Sequence, residues 1–114
     1  MKILTLAAFS VAASATLAFA HSEAMTTMPA DGDIVQAAPS EIMFMFNDAI
    51  RLTRIEMTHP GDPAVDLDLA GQQSFATEYT VPVTAVGDGT YQITWRGLGV
   101  DGHPVQGEFS FEVE

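Results

Sequence analysis

The sequence has 114 residues, carries four Lys and Arg against fifteen Asp and Glu for a net charge of −11, and contains no cysteine. A chain this acidic is repelled by phosphate, which argues against nucleic acid and anionic lipid as partners, and the lack of thiols excludes a disulfide framework and thiolate metal sites. The length suits one small domain that must be held together by apolar burial alone.

Lys2 is followed by an apolar run from Ile3 through Phe19 that ends Ala18-Phe19-Ala20. A charged start, a hydrophobic middle and a small-x-small end are the marks of a secretory signal, and no second apolar run follows to stop transfer. Residues 1–20 are therefore expected to be a signal peptide, with cleavage after Ala20 leaving His21 as the new amino terminus. The processed chain is expected in the periplasm, without stable membrane insertion and as a monomer. An uncleaved segment of this length could just span the hydrocarbon, which is the competing reading. Processing leaves Arg51, Arg54 and Arg96 against all fifteen carboxylates, a surface that solubility explains.

From His21 onward the hydrophobic period is two, with no amphipathic helix. A leading segment to Pro39 contains turn chemistry at Pro29-Ala30-Asp31-Gly32, and Met25 and Met28 are expected to pack there. Glu41 to Phe46 predicts a strand with Ile42, Phe44 and Phe46 on one face and Met43 and Met45 on the other. Asn47-Asp48 should break it, after which Leu52 to Thr58 predicts a strand with Thr53, Ile55 and Met57 sharing a face. His59-Pro60-Gly61-Asp62-Pro63 can only be a loop, with His59 solvated. A short strand from Ala64 to Leu69 should point Val65, Leu67 and Leu69 inward.

Beyond a turn at Gly71-Gln72-Gln73, Phe75 to Val83 alternates Tyr79, Val81 and Val83, and Pro82 restricts it to an edge or a strand end. The turn Gly87-Asp88-Gly89 leads to a strand with Tyr91, Ile93 and Trp95 on one face, and the last strand points Phe109, Phe111 and Val113 inward. Six or seven short strands with regular turns imply an all-β sandwich or small Greek-key barrel.

Asp101-Gly102-His103-Pro104 carries the chemistry. Asp101 and His103 are two apart, so in extended backbone both side chains leave one face and can reach one metal ion; Asp-Gly is equally a turn signal with an unengaged surface imidazole. His21 alters the balance. A free amino-terminal histidine chelates through its α-amine and its Nδ1, His103 adds a third nitrogen and Asp101 an oxygen. Three nitrogens and a carboxylate in a square arrangement suit Cu(II), whereas Zn(II) prefers a tetrahedron. Asp48 is either a partner that orients a ligand imidazole or an exposed carboxylate.

These residues resemble the periplasmic copper resistance protein C (CopC) family. The likeness runs through the histidine after the signal, Met28-Pro29-Ala30-Asp31-Gly32, the Pro39 to Phe46 strand, Gly89-Thr90-Tyr91 leading to Trp95-Arg96, and Asp101-Gly102-His103-Pro104 before Gly107-Glu108-Phe109. The resemblance implies that residues 21–114 form a Greek-key β-barrel of cupredoxin-like or immunoglobulin-like shape. It also implies Cu(II) binding through His21, Asp101 and His103, and exchange of the copper ion with an inner-membrane copper transporter in some systems. Some members carry a Met-rich loop that binds Cu(I). The matching region here is shorter and poorer, offering Met57 and His59 with Met43 and Met45 as candidates to lie nearby, and Met57 shares parity with Ile55 as a core residue would.

The expected function is copper storage, buffering or delivery, without catalysis. Two other classes stay open on the residues: a copper-dependent oxidative enzyme using a histidine brace, for which this chain is short and Asp101 occupies the position such chemistry needs, and a metal-free β-sandwich used in assembly.

Overall fold

Strand β3, Glu41–Thr58, is the element on which the others are assembled. The computed structural model describes residues 25–114 except Gln73 and Val86. Around β3 lie β1 (Thr26–Met28), β2 (Asp33–Val35), β4 (Val65–Asp66), β5 (Ala76–Pro82), β6 (Gly89–Gly99) and β7 (Pro104–Val113). All pairings are antiparallel except that of β2 with β7. The architecture is all-β with seven strands, as the period-two patterning requires.

Asn47-Asp48 does not end a strand. The chain continues in β conformation because the pairing of β3 shifts register twice, against β5 between Met45 and Ile50 and against β6 between Leu52 and Arg54. Extra residues are absorbed at such irregularities, and the strand bends. The second shift also changes which residues share a face. Leu52 and Ile55 are both buried while Thr53 is exposed, so Thr53 does not join Ile55 and Met57 as strict alternation predicts. Asp48 is an exposed residue of β3.

The bend lets the two halves of the sheet face each other. Phe44 meets Phe109 edge-on at 5.5 Å, and Phe46 meets Trp95 at 5.2 Å and Tyr79 at 6.3 Å. Ile42, Val81, Tyr91, Ile93, Phe111 and Val113 also belong to the core. Each lies on the face its strand alternation assigns, and this burial of apolar area is the main favourable term in folding. Residues 64–69 behave differently from expectation. Only Val65–Asp66 pairs with β3, Val65 stays exposed, and Leu67 and Leu69 pack against the core. Met28 is exposed, whereas Met25 packs as expected.

β5 is an edge strand, and Pro82 sits at its end. Its outer side is blunted by Gln72, whose Nε2 donates to the carbonyl of Thr80 at 2.7 Å in imitation of a neighbouring strand. The leading turn is fastened to β7, where the amide of Ser110 donates to Asp31 Oδ1 at 3.0 Å and the amide of Gly32 to the carbonyl of Ser110 at 2.7 Å.

The order of partners along β3 decides where β1 lies relative to the end of β6. Ile50 pairs with Ala76 of β5 on one side and with Gly99 of β6 on the other, and Met43 pairs with Thr80 of β5 and with Met28 of β1. A strand residue has two edges, so β1 and β6 lie in succession along the edge opposite β5. β1 is antiparallel to β3, with Thr26 opposite Met45 and Met28 opposite Met43. β1 therefore begins on the side on which β6 ends, where Gly99 faces Ile50.

Close packing at Gly97 allows β6 to pass β3 here. A Cβ at this position would lie 2.7 Å from the carbonyl oxygen of Arg51 and 2.9 Å from Ile50 Cγ2. A paired backbone cannot yield by that much, so Gly97→Ala is expected to destabilise by about 1–3 kcal/mol, the usual effect of overpacking. A lowered urea midpoint with unchanged slope would be the readout, and a midpoint equal to that of the parent would contradict the packing described.

Candidate metal centre

Asp101 and His103 lie in the connection between β6 and β7 and are brought together by a tight turn rather than by extended backbone. Gly102 adopts φ +84°, a left-handed conformation that favours glycine. Its amide donates to the carbonyl of Gly99, and the amide of Gly99 donates to the carbonyl of His103, both at 2.9 Å. The strands flanking the turn are in register, with Leu98 opposite Pro104. Side chains two apart in a strand would share a face without touching; here the turn folds one onto the other.

The contact is specific. Asp101 Oδ1 accepts from the backbone amide of His103 at 3.0 Å, and Asp101 Oδ2 lies 2.9 Å from His103 Nδ1. The first of these bonds, followed by the second, holds the Asp101 carboxyl below its ordinary pKa, because both favour the anion. Nδ1 therefore carries the proton facing the carboxylate, and in the neutral ring Nε2 holds the lone pair, directed away from it. A metal-binding histidine is commonly oriented in this way. Both side chains are open to solvent, 66% exposed for Asp101 and 77% for His103, and Val100 beside them is 71% exposed.

This is a pair of ligand groups and not a complete cage. Among the described residues, no group of three or more His, Asp and Glu side chains is placed to hold a metal ion. His21, the remaining residue that the sequence assigns to the site, lies outside the described residues, as do residues 1–20 and the cleavage position.

The residues of the weaker Cu(I) pattern are not gathered. Met57 is buried in the core at the far end of β3 from Met43 and Met45, and Met45 is exposed. His59 is not a solvated loop residue. Its side chain is only 15% exposed, its Nδ1 lies 2.8 Å from Asp62 Oδ2 and its Nε2 lies 2.8 Å from the carbonyl oxygen of Asp88. The ring stacks on Tyr91 with centroids 4.3 Å apart. With each nitrogen facing a protein oxygen at 2.8 Å, neither is open to a metal. Asp62, three residues on within the same Pro- and Gly-rich turn, was the available signal for a local partner; the contacts to Asp88 and Tyr91 are long-range and leave no local trace.

The family model for the CopC domain matches residues 24–114. The chain is 28% identical over 107 residues to copper resistance protein C of Pseudomonas syringae pv. tomato, covering 86% of this chain and 84% of that protein. It is 29% identical over 106 residues to copper resistance protein C of Xanthomonas campestris pv. juglandis, covering 85% and 83%. Among solved structures it is similar to CopC from Methylosinus trichosporium OB3b, with a TM-score of 0.63 at 24% identity over 77% of this chain and 88% of that one. It is also similar to PcoC, a methionine-rich copper resistance protein from Escherichia coli, with a TM-score of 0.54 at 22% identity over 78% and 94%. At these identities the structural likeness speaks for the fold.

Proposed function

The chain belongs to the CopC family, and on that premise we propose that it is an exported Cu(II)-binding protein that stores, buffers or delivers copper in the periplasm without catalysing a reaction. The ligands are the α-amine and Nδ1 of His21 and the Nε2 of His103, with the carboxylate of Asp101 joining them once it swings away from the His103 Nδ1 that it faces at 2.9 Å. Residues 1–20 are the signal whose removal creates the terminal amine, and residues 21–114 are the copper-binding domain.

One observation carries the reading. β1 and β6 succeed one another along the same edge of β3, and β1 begins, with Thr26 opposite Met45, on the side toward which β6 ends, with Gly99 opposite Ile50. His21 is four residues before Met25, a reach of up to about 14 Å at roughly 3.3–3.6 Å per residue. A second support is the polarity of the pair itself, since the bond from His103 Nδ1 to Asp101 fixes the tautomer that leaves Nε2 available. Nitrogen and carboxylate donors suit Cu(II), which has the highest affinity among the divalent first-row ions for such a set.

Delivery follows from exposure. Both described ligand residues stand at the surface, so an acceptor can replace them one at a time, and the ion never needs to pass through the core. Membership of the family, rather than exposure, points to an inner-membrane copper transporter as the acceptor, and the acidic surface of a monomer keeps the carrier from adsorbing to anionic lipid.

The direct test is Cu(II) titration of the processed protein beside its His103→Ala variant. Stoichiometric binding by the parent, with a loss of about 10-fold or more in the variant, is expected, because even an outer partner of a metal ligand contributes 10–100-fold. Equal affinity of the two proteins would remove His103 from the site.

A further inference from the structure

We propose that His59 is a pH-responsive latch that, as an imidazolium, fastens the β3–β4 loop to the β5–β6 turn and releases them when the ring loses a proton. The two groups facing its nitrogens are a carboxylate, Asp62 Oδ2, and a carbonyl, Asp88 O, each at 2.8 Å. Both can only accept hydrogen bonds. A neutral imidazole has a single N–H, so it satisfies one of them and turns a lone pair toward the other. Only the doubly protonated ring satisfies both.

The rest of the pocket holds the ring in this position. Tyr91 of β6 lies parallel to it, with an interplanar angle of 10°, and is backed in turn by Phe111 of β7 at 5.5 Å. A cation over an aromatic face is a further attraction. On the side of Nε2 the ring lies close against the backbone of Gly89, where a Cβ would fall 2.8 Å from that nitrogen. The loop is also closed on itself, with the amide of Asp62 donating to the carbonyl of His59 at 3.0 Å.

The charged groups on every neighbouring element favour the cation or are already engaged. Asp62 comes from the loop and Asp88 from the turn; Glu112 of β7 stands opposite Thr90 of β6. On β3, Glu56 is held with Asp66 of β4 by Arg54, each at 3.0 Å. Tyr91 is the titratable group of β6 in contact with the ring, and its hydroxyl donates to the carbonyl of Gly87 at 2.8 Å. In agreement with this geometry, the hydrogen bond to Asp62 first and that to Asp88 second raise the His59 pKa above its ordinary value.

The sign follows. The ring binds its proton more tightly in the folded protein, so the latch contributes fully below the unfolded histidine value of about 6.5 and is lost as pH rises through the higher folded value. The device sits at the start of β6, whereas Asp101 follows its end. The eleven residues of β6 separate the two by roughly 30 Å at about 3.3 Å per residue. The latch is therefore independent of the copper reading.

The experiment is a heteronuclear NMR titration of the metal-free full domain from pH 5 to 10, with His59 identified by the loss of its signals in His59→Gln. We expect both ring nitrogens to be protonated at pH 6, a titration midpoint above about 6.5, and amide exchange at Gly61, Asp62 and residues 87–89, corrected for intrinsic rate, that accelerates across that midpoint. Asp62→Asn, an exposed change that leaves the core untouched, should lower the midpoint. A midpoint at or below about 6.5, an unprotonated ring nitrogen at pH 6, or exchange that does not change across the midpoint would each overturn the proposal.

Discussion

Adding a single residue before His21 is expected to lower Cu(II) affinity by at least about 100-fold. The extension converts the α-amine into an amide, which removes one donor and opens the chelate ring in which that amine and the imidazole of the same residue grip the ion. This exceeds the roughly 10–100-fold that follows loss of a group merely supporting a ligand. The turn bearing Asp101 and His103 would be unaffected, with its 2.9 Å and 3.0 Å contacts intact, so the fold and its melting temperature should not change. Competition with a chelator of known affinity, with electron paramagnetic resonance to count the nitrogens, is the measurement. Undiminished affinity in the extended protein would sink the assignment of the terminal amine and leave only a weak imidazole and carboxylate pair.

The same site should weaken as pH falls. An unperturbed α-amine has a pKa of about 7.7–8.0, so copper displaces a proton from it near neutrality and protons compete for the donor. Asp101 is not the limiting group, because the amide and ring of His103 hold its carboxyl below the usual range. Affinity that stayed constant from pH 8 to pH 5 would argue for a carboxylate-only site.

Trp95→Ala is expected to cost about 3–5 kcal/mol, the range for removing a buried large aromatic. Trp95 is 2% exposed and meets Phe46 at 5.2 Å across the core. On its other side β7 passes so close that a Cβ on Gly107 would fall 2.7 Å from the indole ring. Its Nε1 makes no hydrogen bond among the described residues, so the loss is one of packing and apolar burial. A domain of this size has about 5–15 kcal/mol in all, and without disulfides nothing else constrains the unfolded chain. The variant should therefore unfold at a much lower urea concentration and lose the ordered β6–β7 hairpin that presents Asp101 and His103. A cost below about 1 kcal/mol would mean that the cavity collapses far more completely than close-packed interiors allow.

The fold was legible because burial alternates wherever a strand has one face inward. Ile42, Phe44 and Phe46, then Tyr91, Ile93 and Trp95, then Phe109, Phe111 and Val113 could each be assigned to the core from spacing alone, and all are buried. The pairing of Asp101 with His103 was legible in part. Their separation suggested a shared face, but the contact depends on the positive φ at Gly102 and on the register of β6 with β7.

By itself, then, the sequence determined the strand faces outside the register shift of β3 and residues 64–69, the restriction of Pro82 to an edge or a strand end, the absence of thiol chemistry and the residue types available to a metal. These are local matters, set by side-chain chemistry and a period of two. Tertiary structure alone decided that β3 runs unbroken through Asn47-Asp48, that Thr53 points outward, and that His59 is clamped between Asp62, Asp88 and Tyr91. It alone decided, too, that β1 and β6 share an edge of β3. The physical reason is common to all four. Register shifts and strand order arise from hydrogen bonding between segments distant in the chain, and no residue carries in its own spacing the identity of the partner it will face.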